Sequence, residues 1–191
     1  MKKHFLIILL TMVFLSCNSE ISPTAIPEPV IEEEVLKQVF DEKKVYSSKD
    51  FFDSGFQEYK EYNVSKLTGA KEAWYGYWGP DEDSVRYYEL RFYPDHSTAL
   101  SDGTPFAEDA TGVDANLNRK NSMWRVGLTD RKLSQTKMVY GGETKVHVTG
   151  DGTIPKYQEY VIYNNLILLC EGVDPKDSIK ACWDLINILN K

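Results

Sequence analysis

The stretch YQEYVIYNNLILLCE, residues 157–171, constrains the fold more than any other part of the chain. Leu166 to Cys170 is a continuous apolar run, of strand length and suited to burial on both faces. Tyr157 to Tyr163 is rich in aromatic and β-branched residues, which fit a pleated surface. Asn164-Asn165 joins the two runs, and asparagine tolerates the left-handed backbone of a tight turn. The sequence therefore predicts a hairpin. A helix follows it, with Asp174 as cap and Pro175 in the first helical position, where a missing N–H is harmless. Ile179, Cys182, Trp183, Ile186 and Leu189 form its apolar stripe, so the second hairpin strand should pack under this helix.

Upstream, RYYELRFY (86–93) alternates as a strand does and ends at Pro94. Asp95 is a cap for a helix through Ala99 and Leu100. Gly103-Thr104-Pro105 should break that helix, with Phe106 to Ala110 resuming it until Gly112. Ile31 to Lys44 has a helical apolar face and a charge order that matches the helix dipole. Ser48 to Tyr62 suggests a short amphipathic helix interrupted at Gly55, and Ala70 to Trp78 fits either a helix end or a strand. Asp114 to Gln135 reads as mostly loop, with a strand available at Trp124, Val126 and Leu128. Lys137 to Thr149 reads as a hairpin about Gly141-Gly142. This order predicts an α+β fold, an antiparallel sheet with helices packed on one face, and a ferredoxin-like arrangement as the specific expectation.

The N-terminus speaks to location. Lys2 and Lys3 precede an apolar run from Phe5 to Leu15, which has the length of a signal-peptide core and is too short to span a bilayer. The run closes on Phe14-Leu15-Ser16-Cys17, which resembles the bacterial lipobox, with Phe14 where Leu is usual. The resemblance implies cleavage after Ser16 and lipidation of Cys17, whose acyl chains (palmitate among them) anchor the chain. Asn18 to Val30 has three prolines and reads as an extended tether. The expected organisation is a signal peptide over 1–16, a lipidated Cys17 and tether over 17–30, and one α+β domain over 31–191. Such a chain would be exported and held on the bacterial cell membrane, inner or outer, with its domain in the extracytoplasmic space.

Cleavage removes Lys2 and Lys3 from 22 basic residues and none of 29 acids, so the net charge falls from −7 to −9. An acidic chain argues against nucleic acid, whose phosphates need clustered Lys and Arg. Once Cys17 is lipidated, Cys170 and Cys182 remain, an even pair in an exported chain. A disulfide and two buried thiols both stay open, because a helix and a sheet pack about 10 Å apart whereas a bridge needs Cα atoms within about 7 Å.

Catalytic and metal patterns are hard to assemble. His96 and His147 stand alone, without the three or four N or S ligands that zinc needs, so neither a metal nor any other cofactor is expected. Asp81-Glu82-Asp83 lacks the spacing of a calcium loop and reads as a solvated acidic turn. Ser134 to Lys137 spells S-x-x-K without its companion elements. The segment from Trp74 to Tyr93 is dense in aromatics, which either fill the core or present an apolar groove. Trp74, Trp78, Tyr87 and Arg91 are the candidate ligand-binding residues. Glu89 and Arg91 share a strand face and can pair, a contact worth little at a surface.

YELRFYPDHSTALSDGTPFAEDATG (88–112), YVIYNNLILLCEG (160–172) and SIKACWDLINIL (178–189) are similar to uncharacterised lipoproteins of environmental bacteria. The resemblance implies no particular activity. The functional expectation is a lipid-anchored, non-enzymatic envelope domain that binds a partner protein. The alternative is an accessory lipoprotein with an aromatic groove for a glycan or apolar small molecule.

Overall fold

The computed structural model describes residues 38–133 and 148–190. Among them six strands form one sheet: β1 (Val39–Phe40), β2 (Gln57–Glu61), β3 (Glu72–Trp78), β4 (Arg86–Phe92), β5 (Tyr157–Tyr163) and β6 (Leu166–Glu171). Their spatial order is β1-β5-β6-β4-β3-β2. Every neighbouring pair is antiparallel except β1 with β5, which is parallel. The helices are α1 (Ser48–Asp53), α2 (His96–Thr98), α3 (Thr104–Glu108) and α4 (Pro175–Ile186), with a π-helical turn, Ala99–Gly103, joining α2 to α3.

The α+β class holds, but the helices are divided between both faces of the sheet rather than gathered on one. Alternation explains the division. Tyr88, Leu90 and Phe92 of β4 stand level with Cys170, Leu168 and Leu166 of β6, and this face packs on Phe51 of α1 and on Ala181, Cys182 and Leu185 of α4. The intervening Ile167 and Leu169 point the other way and meet Ala99 and Ala107 of the α2–α3 segment. β6 is buried at every position and apolar from Leu166 to Cys170, because both of its faces are covered. β4 and β5 flank β6, both antiparallel to it, and the α2–α3 segment lies between them in sequence. Among the described residues no helix is long and apolar enough to cross a membrane.

The hairpin and last helix form as their residues predict. Asn164 turns with φ 53°, and Asp174 accepts a hydrogen bond from the Asp177 amide. Cys170 and Cys182 are joined by a disulfide with a Cα–Cα distance of 5.5 Å. Close approach at the helix start allows it. Ser178 donates its hydroxyl to the Cys170 carbonyl at 2.5 Å, and a Cβ on Gly172 would lie 2.5 Å from the Ser178 nitrogen. Only glycine leaves room for α4 to fold back so tightly onto β6.

Four expectations are corrected. Residues 38–44 of the expected Ile31–Lys44 helix are not helical, because Val39–Phe40 forms a strand paired with the open edge of β5. Ile162 and Asn164 donate their amides to the Gln38 and Phe40 carbonyls, and Phe40 stacks on Tyr163. The rest of that expected helix, with the signal peptide, Cys17 and the tether, lies outside the described residues. The helix of 48–62 stops at Asp53, and Gln57–Glu61 continues as the exposed edge strand β2. Gly103-Thr104-Pro105 does not break its helix: Pro105 enters α3 at the first turn, where its missing N–H costs nothing. Trp124 has no regular structure and Val126 and Leu128 lie in a turn, so none of the three is in a strand. The expected Lys137–Thr149 hairpin falls outside the described residues, apart from its last two positions.

Candidate functional site

The four sequence-derived ligand candidates do not converge. Trp74 and Trp78 pack against the core under α1 and α4. Tyr87 and Arg91 point to the opposite face, because their positions on β4 alternate with Tyr88 and Leu90. Trp74 donates its indole N–H to Glu72 at 2.9 Å and meets Phe52 edge-on. Tyr87 stacks on Tyr75 at 5.5 Å, and the Lys156 ammonium lies 4.7 Å from the Tyr87 ring and 4.8 Å from that of Tyr75. The wider aromatic segment is partly core, as Tyr88, Phe92 and Tyr93 are buried.

Arg91 belongs to a buried ion network. Its Nε donates to Glu89 at 2.7 Å, and Arg131 donates to both oxygens of the same carboxylate at 2.8 and 2.9 Å. The pairing of Glu89 with Arg91 is thus real but lies in the interior, where it matters far more than at a surface. Burial alone would raise the Glu89 pKa; the charges of Arg131 and Arg91 and their hydrogen bonds outweigh it and hold the carboxyl below its usual range. Trp124 completes the network. Its ring lies 4.7 Å from the Arg131 guanidinium and 5.1 Å from that of Arg91. Its carbonyl accepts from Arg131 at 3.0 Å, and its indole donates to the Asn63 carbonyl at 3.3 Å. Among the described residues, two cations against one anion leave the network with one net positive charge, and Arg91 Nη1 and Nη2 make no hydrogen bond.

This network fixes a surface. Trp124 and Arg131 are buried ends of a segment without regular secondary structure, and the residues between them are held outside the sheet. Gly127 turns with φ 76°, and a Cβ there would meet the Tyr62 ring at 2.6 Å. The segment forms a cleft of about 480 Å³ with Lys60 of β2. Leu117, Val126 and Leu128 line it, together with the cationic Lys60, Arg119, Arg125 and Lys132 and one acid, Asp130. Asp130 accepts from the Tyr62 hydroxyl at 2.7 Å and from Lys60 at 3.2 Å. Burial raises the Tyr62 pKa, and the nearby Glu89 charge adds to it, so the phenol remains a donor. Arg125 donates to the Lys120 carbonyl at 3.3 Å. Four cations around one carboxylate suit an anionic group.

A second cleft, of about 440 Å³, has the opposite character, with Glu108, Asp114 and Glu159 beside Tyr160. Burial raises the Glu159 pKa, while the Tyr160 amide and Gln38 donate to its carboxylate. Among the described residues no group of three or more His, Cys, Asp and Glu could hold a metal ion. His96 Nδ1 is bonded to the Asn164 carbonyl at 2.7 Å, and Asp81 caps a short exposed 3-10 turn. His147 and Ser134–Lys137 lie outside the described residues.

Sequence reasoning passed over the cationic cleft because residues 114–135 looked like a polar loop. The available signal was five basic residues, Arg119, Lys120, Arg125, Arg131 and Lys132, within 14 positions of an acidic chain. A family model matches residues 47–191, a span that contains the buried network and both arms of the cationic cleft; the family is described as one of unknown function. No curated protein and no solved structure matches the chain.

Proposed function

The chain belongs to DUF6810, a family of unknown function, and from that premise we propose that it is a lipid-anchored, extracytoplasmic binding domain whose recognition surface is the segment 114–133. Support for the anchor comes from the positive start, the apolar run and Cys17. The single observation behind the binding surface is the pinning of this irregular segment by the Glu89–Arg131 pair. Irregular segments carried on a rigid scaffold are where binding residues concentrate. The partner is an envelope protein or a small molecule with anionic groups, since the surface offers Arg119, Arg125 and Lys132.

Two experiments test the reading. Cys17→Ser should leave the chain unprocessed and unlipidated; normal membrane retention of a cleaved product refutes the anchor. Crosslinking in intact membranes, followed by recovery of the tethered chain, should capture a partner that Arg119→Gln with Arg125→Gln loses. Equal capture by both forms places the binding surface elsewhere.

A second reading, an aromatic surface for a glycan or apolar molecule, draws on a tier of tyrosines in place of Trp74 and Trp78. Tyr59 is 72% exposed and meets Tyr75 edge-on, while Tyr77 and Tyr87 continue the tier across β3 and β4. Thermal stabilisation by sugars, abolished by Tyr59→Ala, would favour it.

A further inference from the structure

We infer that the cationic cleft is a site for a small organic oxyanion, its carboxylate or phosphate group held by Arg119 and Arg125 and its apolar body lying on Val126 and Leu128. The inference rests on the reading of 114–133 as the recognition surface and names what that surface takes.

Three observations carry it. Among the described residues Arg119, Arg125 and Lys132 form no ion pair with an acid. Asp130 engages Lys60, whereas Arg119 and Lys132 make no side-chain hydrogen bond to a described residue, and among the described residues Arg125 reaches only a backbone carbonyl. Guanidinium forks match carboxylate and phosphate geometry. The charge beneath the cleft has the same sign, because Arg131, which stands between Asp130 and Lys132 in sequence, and Arg91 share the single carboxylate of Glu89. In a chain of net charge −7 this local excess is the reverse of the average surface. Finally, a volume of about 480 Å³ falls in the range of small-molecule sites, and the apolar side chains add contact area for a carbon skeleton.

Asp130 is then the internal counter-ion of the site. Its hydrogen bond from Tyr62 fixes its position, and its charge sets an upper limit on anion affinity. Loss of that charge should tighten binding, whereas loss of the arginines should weaken it. Opposite responses from neighbouring substitutions are not expected of a merely structural loop.

The test is titration calorimetry on the full chain in a neutral detergent, with phenylacetate and phenyl phosphate as separate probes and choline as a cationic control. At least one oxyanion should bind and choline should not. Arg119→Gln with Arg125→Gln should weaken binding roughly tenfold or more, as expected for lost charge-assisted hydrogen bonds. Asp130→Asn, which keeps an acceptor for Tyr62, should tighten it roughly two- to fivefold. The stronger probe separates carboxylate from phosphate chemistry. Failure of both probes to bind the folded chain overturns the inference, as does binding indifferent to the arginine pair or weakened by Asp130→Asn. Should the probes fail while the arginine variant still loses its crosslinked partner, the recognition surface stands and only the small-oxyanion assignment falls.

Discussion

Arg131 and Glu89, 42 positions apart, form a two-point ion pair with both side chains almost wholly removed from solvent. The pair ties an irregular surface segment to the centre of the sheet, and it does so through charge rather than apolar contact. Burying ions is costly, so the arrangement is stable only while all its members are present. That condition makes the network a sensitive point of the fold.

Glu89→Gln should therefore destabilise the domain by about 3–5 kcal/mol, since it leaves two buried guanidinium groups without a counter-charge. Urea unfolding monitored by tryptophan fluorescence measures the loss, with Trp124 one of the four reporting residues.

The same carboxylate predicts a pH dependence. Its folded pKa is lowered, so its contribution is fully present above the unfolded value of about 4.3 and is lost as pH falls through the lower folded value. Stability should hold from neutral pH down to that range and decline below it. Thermal unfolding across this window should show a flatter acid limb for Glu89→Gln than for the parent chain.

Asn165 should matter more than a turn residue ordinarily does. Its side chain accepts from the Tyr46 amide at 2.7 Å and donates to the Tyr46 and Tyr93 carbonyls at 2.9 Å each. Asn165→Ala should cost about 2–3 kcal/mol by leaving buried backbone groups unpaired. It should also release the stretch around β1, because Tyr46 anchors its end. Limited proteolysis should then cut between residues 41 and 46 well before the sheet unfolds.

Replacing Cys170 and Cys182 with alanine should remove about 3 kcal/mol, the scale for a short closed loop. Non-reducing mass analysis after alkylation should find no label on either residue in the parent chain; two labels would contradict the bridge.

Short-range chemistry carried the hairpin, the last helix and its cap, because Asn164, Asp174 and Pro175 act on backbone within a few residues. It also carried the α+β class, through periodicities of two and of about four residues. Long-range pairing decided the rest. Val39–Phe40 is extended against its local helical pattern because the free edge of β5 supplies backbone hydrogen bonds. The helices divide between two faces because β6 is apolar on both, a property that a continuous run displays but does not assign to particular partners. The ligand candidates separate for a related reason: Trp74 and Tyr87 are neighbours by aromatic content, yet their strand positions turn them to opposite faces. The cationic cleft was least legible, since Lys60 and Arg125 become neighbours only after β2 and the 114–133 segment are fixed to one sheet. Sequence by itself thus determined which segments turn, cap and alternate, because those effects act over a few residues. Tertiary structure alone decided which charges were buried and which were left facing a common cleft, because both depend on contacts that only the assembled sheet creates.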